Sequence, residues 1–150
     1  MNSDQASDHF TFAELTFSQT ALRLGIDNTP PPDAYANLTT LAVTLLEPIR
    51  QLWGCAVHVD SGYRCPQLNA AIGGAADSAH MDGRAADTIP IGMALQDAFE
   101  KLRASDLPID QCIIECGAWL HVAIAKDGET PRRQFMTASG GPGHWSYTEV

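Results

Sequence analysis

The chain is short of positive charge. Its 150 residues carry 9 Lys and Arg against 18 Asp and Glu, a formal net charge of −9. Phosphate-backbone recognition needs grouped Lys and Arg, so no nucleic-acid partner is expected. The same shortage leaves no basic amphipathic stretch for an anionic membrane surface. Long apolar runs are absent too: none approaches the roughly 20 residues of a spanning helix. The start, MNSDQASDHF, has neither a basic opening nor an apolar centre. The expectation is a protein with no membrane insertion, synthesised in the cytoplasm with no visible signal peptide. Cysteines are few, at Cys55, Cys65, Cys112 and Cys116, with no C-x2-C pair. Cys112 and Cys116 have the spacing of half a structural zinc site, but the other two stand ten apart and supply no second half. They read as small buried thiols, with a disulfide left open for a protein acting outside the cell. Internal repeats and low-complexity segments are also missing. What remains is one domain with its own core, expected as a monomer.

Along the chain, Thr11 with Glu14 three residues later is a capping box, predicting a short helix from Thr11 to about Phe17. GIDNTPPP breaks it. Asp33 is then read as the cap of a long helix with a stripe of Leu38, Leu41, Ala42, Leu45, Ile49 and Leu52, kinked at Pro48. AVHVD alternates as a strand with Val57 and Val59 on one face; His58, on the other, has no partner carboxylate at ligand spacing. Pro66 opens a short helix that Gly73 and Gly74 end. A small-residue loop leads to His80, and a strand near Arg84 to Ile89 carries Asp87. Gly92 to Ser105 reads as an amphipathic helix. Ile109 to Glu115 and Trp119 to Ala125 read as strands joined by Cys116-Gly117-Ala118, a hairpin that brings Glu115 and His121 to one end. KDGE marks a turn, and Arg133 to Thr137 is expected as an edge strand. The Gly-rich stretch SGGPGHWSYTEV reads as a loose terminus, which divides the chain into a domain over 1–138 and a flexible tail over 139–150.

Two stretches concentrate the chemistry. SGYRCPQLNAAIGGAADSAHMDGRAAD (61–87) offers His80 and Asp87, and ECGAWLH (115–121) offers Glu115 and His121. Two His and one Asp make a three-ligand zinc set, and a Glu outside the set is what a hydrolytic site needs to move protons. H-x6-D alone is a common accident. The longer pattern SGYR-x-P-x-LN-x3-GG-x3-S-x-H-x2-G-x-A-x-D, followed by E-x3-W-x-HV, resembles peptidase family M15, subfamily A: zinc D-Ala-D-Ala carboxypeptidases and phage endolysin peptidases. The lead-in HFTFAELTFSQTALRLGIDNTPP is similar to that of phage and prophage members.

The resemblance implies an α+β fold, a small antiparallel sheet packed against helices in the hedgehog/DD-peptidase manner. It implies one Zn2+ per chain on His80, Asp87 and His121, with Glu115 as the proton carrier. Arg64, 16 residues before His80, would hold a terminal carboxylate or the oxyanion. Ser78 and Asp82, flanking His80, would orient its second nitrogen or contact substrate, and Trp119 would wall the pocket. His9 and His144 have no metal-spaced partner. The implied substrate is a peptidoglycan stem or cross-bridge peptide, met at the cell wall if phage lysis or a virion releases the protein. Cys65 stands where Ser is usual, and Cys116 where some carboxypeptidases carry a further histidine, which points away from strict D-Ala-D-Ala carboxypeptidase activity. The alternative is a binding or structural module with a hedgehog-like metal site and no turnover.

Overall fold

The computed structural model describes residues 3–150. Thr11 Oγ1 accepts from the Glu14 amide (3.1 Å) while Glu14 accepts from the Thr11 amide (3.0 Å), and α1 (Phe12–Thr16) follows from this box. A second helix, α2 (Gln19–Leu24), is absent from the sequence reading. Ser18 caps its start and Gly25, at φ 68°, closes it; six residues are too few for a periodic stripe to stand out. α3 (Pro32–Leu41) begins differently from expectation. Pro31 holds the cap position, Pro32 supplies a pre-set φ, and Asp33 lies in the first turn, where its charge meets the positive helix end.

Where Pro48 predicts a kink, the helix has a π turn (Ala42–Leu46) that runs directly into α4 (Glu47–Trp53). Pro48 has no amide hydrogen to give Thr44. In the widened turn just ahead of it the Glu47 amide donates to the Ala42 carbonyl, one residue further back than in an α-helix. The extra residue also rotates the apolar stripe. Leu38, Leu41, Ala42, Leu45 and Ile49 are buried as expected, but Leu46 in the turn and Trp53 beyond it also face the core and Leu52 is left 39% exposed.

Six strands form one sheet: β1 (Val57–Ser61), β2 (Ala85–Pro90), β3 (Gln111–Glu115), β4 (Trp119–Ala123), β5 (Gln134–Ser139) and β6 (Ser146–Glu149), in the order β1-β2-β4-β3-β5-β6. The helices α5 (Pro66–Ala71) and α6 (Leu95–Arg103) complete an α+β fold. The β3–β4 hairpin turns through Cys116 and Gly117, both at positive φ (52° and 63°). Three expectations need correction. The sheet is mixed, because β5 lies parallel to β3, and β5 is an interior strand. The edge is β6, formed by the stretch expected as a loose terminus and paired antiparallel with β5. All four β6 residues are exposed, so no apolar alternation announces the strand.

The pleat divides the sheet chemically. Leu120 and Val122 of β4, Cys112 and Ile114 of β3 and Ala86 of β2 join Phe99 and Leu102 of α6 and the α3–α4 run in the core. Trp53 Nε1 donates to the Ala98 carbonyl at 3.1 Å, locking α4 to α6. The alternate residues Glu115, Trp119, His121 and Asp87 line a cleft on the other face.

The turn after β1 is anchored on α1, where the Tyr63 amide donates to the Leu15 carbonyl at 2.7 Å. A Cβ on Gly62 would run into that same carbonyl, whereas one on Gly141 would meet nothing. Gly62→Ala is therefore expected to cost about 1–3 kcal/mol, an overpacking penalty, while Gly141→Ala stays within about 0.5 kcal/mol. Denaturant midpoints of the two variants check this; equal midpoints would show that α1 yields freely.

Candidate functional site

Asp87 of β2 sits directly opposite His121 of β4 in the antiparallel register, so the pleat sends both side chains into the cleft. His80 comes from a single 3₁₀ turn, Ala79–Asp82, capped by Ser78 Oγ accepting from the His80 amide (3.2 Å) and ended by Gly83 at φ 76°. Its carbonyl accepts from the Arg64 amide at 3.1 Å. Its ring is fixed by a 2.6 Å hydrogen bond between Nδ1 and the Gly62 carbonyl. A carbonyl can only accept, so Nδ1 carries the proton and the neutral ring presents Nε2 as a bare lone pair. Burial lowers the pKa of His80 against the pull of Asp87, which favours that neutral form.

His80 Nε2 lies 3.2 Å from Asp87 Oδ1 and 3.2 Å from His121 Nδ1, and the last two atoms are 3.3 Å apart. All three residues are buried. One proton on His121 Nδ1 would satisfy only one of these contacts, so the triangle is a set of converging lone pairs that a cation would stabilise. The spacing fits a particular kind of ion. Ligand atoms at about 2.0–2.1 Å around a tetrahedral centre stand about 3.3–3.4 Å from each other. Burial would raise the Asp87 carboxyl, but a proton held on the facing His80 or His121 imidazole outweighs burial and keeps it well below the usual carboxylate range. Asp87 is therefore available as an anionic ligand. Among the described residues these three form the group able to hold a metal.

Glu115 stands beside this group and outside it. Its Oε1 is 3.9 Å from His121 Nδ1, and its Oε2 accepts from Trp119 Nε1 at 2.9 Å, across the β3–β4 pair. Burial and then the charge of Asp87 raise its pKa, against the opposing effects of His121, Trp119 and Arg64. Arg64 is drawn into the same cleft, with burial lowering its pKa and Asp87 and Glu115 favouring its charge. Its Nε is buried without a hydrogen-bond partner among the described residues. The slot beside it depends on Gly74, whose Cβ would fall 3.1 Å from Arg64 Nη1 and collide with Asn69 Oδ1.

The remaining sequence candidates separate. Trp119 lines the cleft and holds Glu115; Ser78 lines it too, but its hydroxyl caps the His80 backbone and does not touch the imidazole. Asp82 does not reach the ring, because Gly62 already occupies Nδ1. Its carboxylate accepts from Arg84 at 2.9 and 3.2 Å; Arg84 lines the cleft and Asp82 itself does not. His58 is exposed on β1, 3.9 Å from Asp60, and His9 pairs with Glu47 at 2.8 Å. All four cysteines are free thiols; Cys112 is buried, and Cys65 Sγ caps α5 by accepting from the Leu68 amide at 3.4 Å. Sequence reasoning missed the Gly62 carbonyl, which as backbone has no residue-type signature, and Pro142, Trp145 and Tyr147, which reach the cleft from the C-terminal stretch.

The cleft has a volume of about 810 Å³, towards the upper end of the roughly 300–1,000 Å³ of ligand sites. No curated protein matches the chain. The family model for peptidase M15 matches residues 8–123, a span that includes Arg64, the His-Asp-His group and Glu115. The chain belongs to peptidase family M15.

Proposed function

We propose that the chain is a zinc peptidase that cuts peptidoglycan peptides at an internal bond of the stem or cross-bridge, and that it is encoded by a phage or prophage in the manner of an endolysin. The observation that carries the hydrolytic reading is the placing of Glu115: a carboxylate 3.9 Å from a ligand nitrogen, outside the donor set, sharing a cleft with Arg64. The family-like lead-in and motif support the cell-wall substrate. Zinc on His80, Asp87 and His121 would supply a Lewis acid and make hydroxide available near neutral pH.

The chain's own groups do the rest. Trp119 occupies Glu115 Oε2, which leaves Oε1, the oxygen nearer His121, to accept a proton from water and return it to the leaving amine. The raised pKa of Glu115 brings its proton affinity closer to the working pH. Arg64 offers a planar cation to the oxyanion, made stronger by the buried setting. Gly62 holds the His80 ring in the tautomer a ligand needs. The internal bond is favoured by the lining of the cleft, which runs from Phe17 and His58 beside β1 to Tyr147 on β6. That is the full width of the sheet, with room for chain on both sides of the donor set. Incubation with peptidoglycan fragments, read by fragment mass, tests the proposal; absence of any cut would leave a metal-holding module without turnover.

Elemental analysis is expected to find one zinc per chain, lost in a His80→Ala, His121→Ala double variant. Full retention of zinc in that variant would move the site elsewhere. Glu115→Gln keeps the shape but cannot take the proton, so zinc content should persist while turnover of peptidoglycan fragments falls roughly 10²-fold or more. Arg64→Lys should slow turnover, because a point charge cannot replace the planar fork. Amidating the substrate's C-terminus should change little. A roughly ten- to hundredfold loss on amidation, the size of a lost charge-assisted pair, would instead identify a carboxypeptidase.

A further inference from the structure

Neither β5 nor β6 lies within the stretch matched by the family model, yet both reach the cleft. The register shows how. Trp119, Glu115, Ala138 and Tyr147 are successive partners across β4, β3, β5 and β6, so their side chains form one row on the cleft face. The neighbouring row on that face runs His121, Ile113, Met136, Glu149. Strands lie about 4.7–4.9 Å apart, so β3 and β6 are separated by about 10 Å with only a methyl group at Ala138 between Glu115 and Tyr147. The cleft accordingly continues past Glu115 as far as Tyr147. Ile113 and Met136 line this part of the cleft between Glu115 on one side and Tyr147 on the other, with the small Ala138 packed beneath the row and itself only 6% exposed.

The outer wall is a built feature. Gly140, at φ 103°, and Gly143, at φ 76°, reverse the chain after β5, and a Cβ on Gly140 would strike the His144 carbonyl. Pro142 is seated on the turn after α5, so tightly that a Cβ on Gly73 would lie 2.5 Å from Pro142 Cβ. The Val150 amide donates to the Phe135 carbonyl at 3.0 Å and secures the end of the arm. Tyr147 is 49% exposed, leaving half its surface for a ligand. Its phenol is within electrostatic reach of Glu115, Asp77 and Arg64, and burial and then the Glu115 charge raise its pKa, so it stays a donor at neutral pH.

We propose that the β5–β6 arm is a peptide-binding groove on the side of Glu115 away from the metal donor set, in which Tyr147 hydrogen-bonds the substrate backbone and Ala138 sets a width that admits small side chains. This deepens the peptidase reading and rests on it. A substrate strand crossing the site would run on over Ala138, alongside β5, with Trp145 as an aromatic surface at the rim.

The test is peptide binding, measured by calorimetry on the zinc-loaded Glu115→Gln protein so that the probe is not consumed. The probes are purified peptidoglycan stem peptides of graded length, monomeric and cross-linked. Adding Tyr147→Phe should weaken the longer peptides about three- to tenfold, the loss of one neutral hydrogen bond, and leave the shortest unchanged. Adding Ala138→Leu should weaken them by about tenfold or more through steric filling. Zinc content and melting temperature should hold for Tyr147→Phe, whose half-exposed site keeps the test valid if the buried Ala138→Leu change fails to fold. Unchanged binding in Tyr147→Phe, equal losses for short and long peptides, or no binding of any peptide would each overturn the groove. If the parent chain cuts nothing while this length-dependent pattern appears, the peptidase reading fails and the groove stands.

Discussion

The site depends on one hydrogen bond, from His80 Nδ1 to the Gly62 carbonyl. Without it the imidazole could protonate either nitrogen, and the Nε2 lone pair that completes the triangle with Asp87 and His121 would be one state among several. The bond also couples the site to the scaffold. Gly62 lies between β1 and Tyr63, whose amide is tied to α1 through Leu15, so the imidazole's orientation is set by the packing of the first helix. A backbone acceptor suits this role, because it cannot rotate away or change charge.

The sheet supplies the other constraint. A period of two gives every strand a core face and a cleft face, and β2, β3 and β4 spend their core faces on Ala86, Cys112, Ile114, Leu120 and Val122. Burying those residues fixes where Asp87, Glu115 and His121 must point. The proposed metal ligation, proton transfer and peptide binding would therefore draw on the same burial that stabilises the fold. A one-residue slip between β2 and β4 would turn Asp87 towards the core and remove a ligand.

Much of this was legible in the sequence because the informative features were local. The Thr11 and Glu14 box, the Gly-bearing hairpin at Cys116 to Ala118 and the spacing of His80, Asp87 and His121 each depend on residues close in the chain or on a dense motif. The misreadings have causes that periodicity and spacing do not carry. Leu52 lost its place in the core to a π turn that only the local absence of the Pro48 amide hydrogen explains. β5 became parallel and interior because the chain crosses β3 before pairing, and crossings leave no mark on periodicity. β6 is exposed at every residue and so carried no apolar signal. Asp82 was close to His80 in sequence, but the geometry of a 3₁₀ turn gave it to Arg84.

The strand order has a consequence for the sequence of events during synthesis. The three candidate metal-donor residues all lie between positions 80 and 121, while the wall of the proposed groove comes from β5 and β6, which are made after them. Chains grow from the N-terminus at about 5–20 residues per second, so β1 to β4 leave the ribosome seconds or less before β5 and β6 can dock. A nascent chain thus presents all three donor residues before the proposed groove has its outer side. On the proposed reading, the order of the chain itself would separate ion uptake from substrate recognition in time.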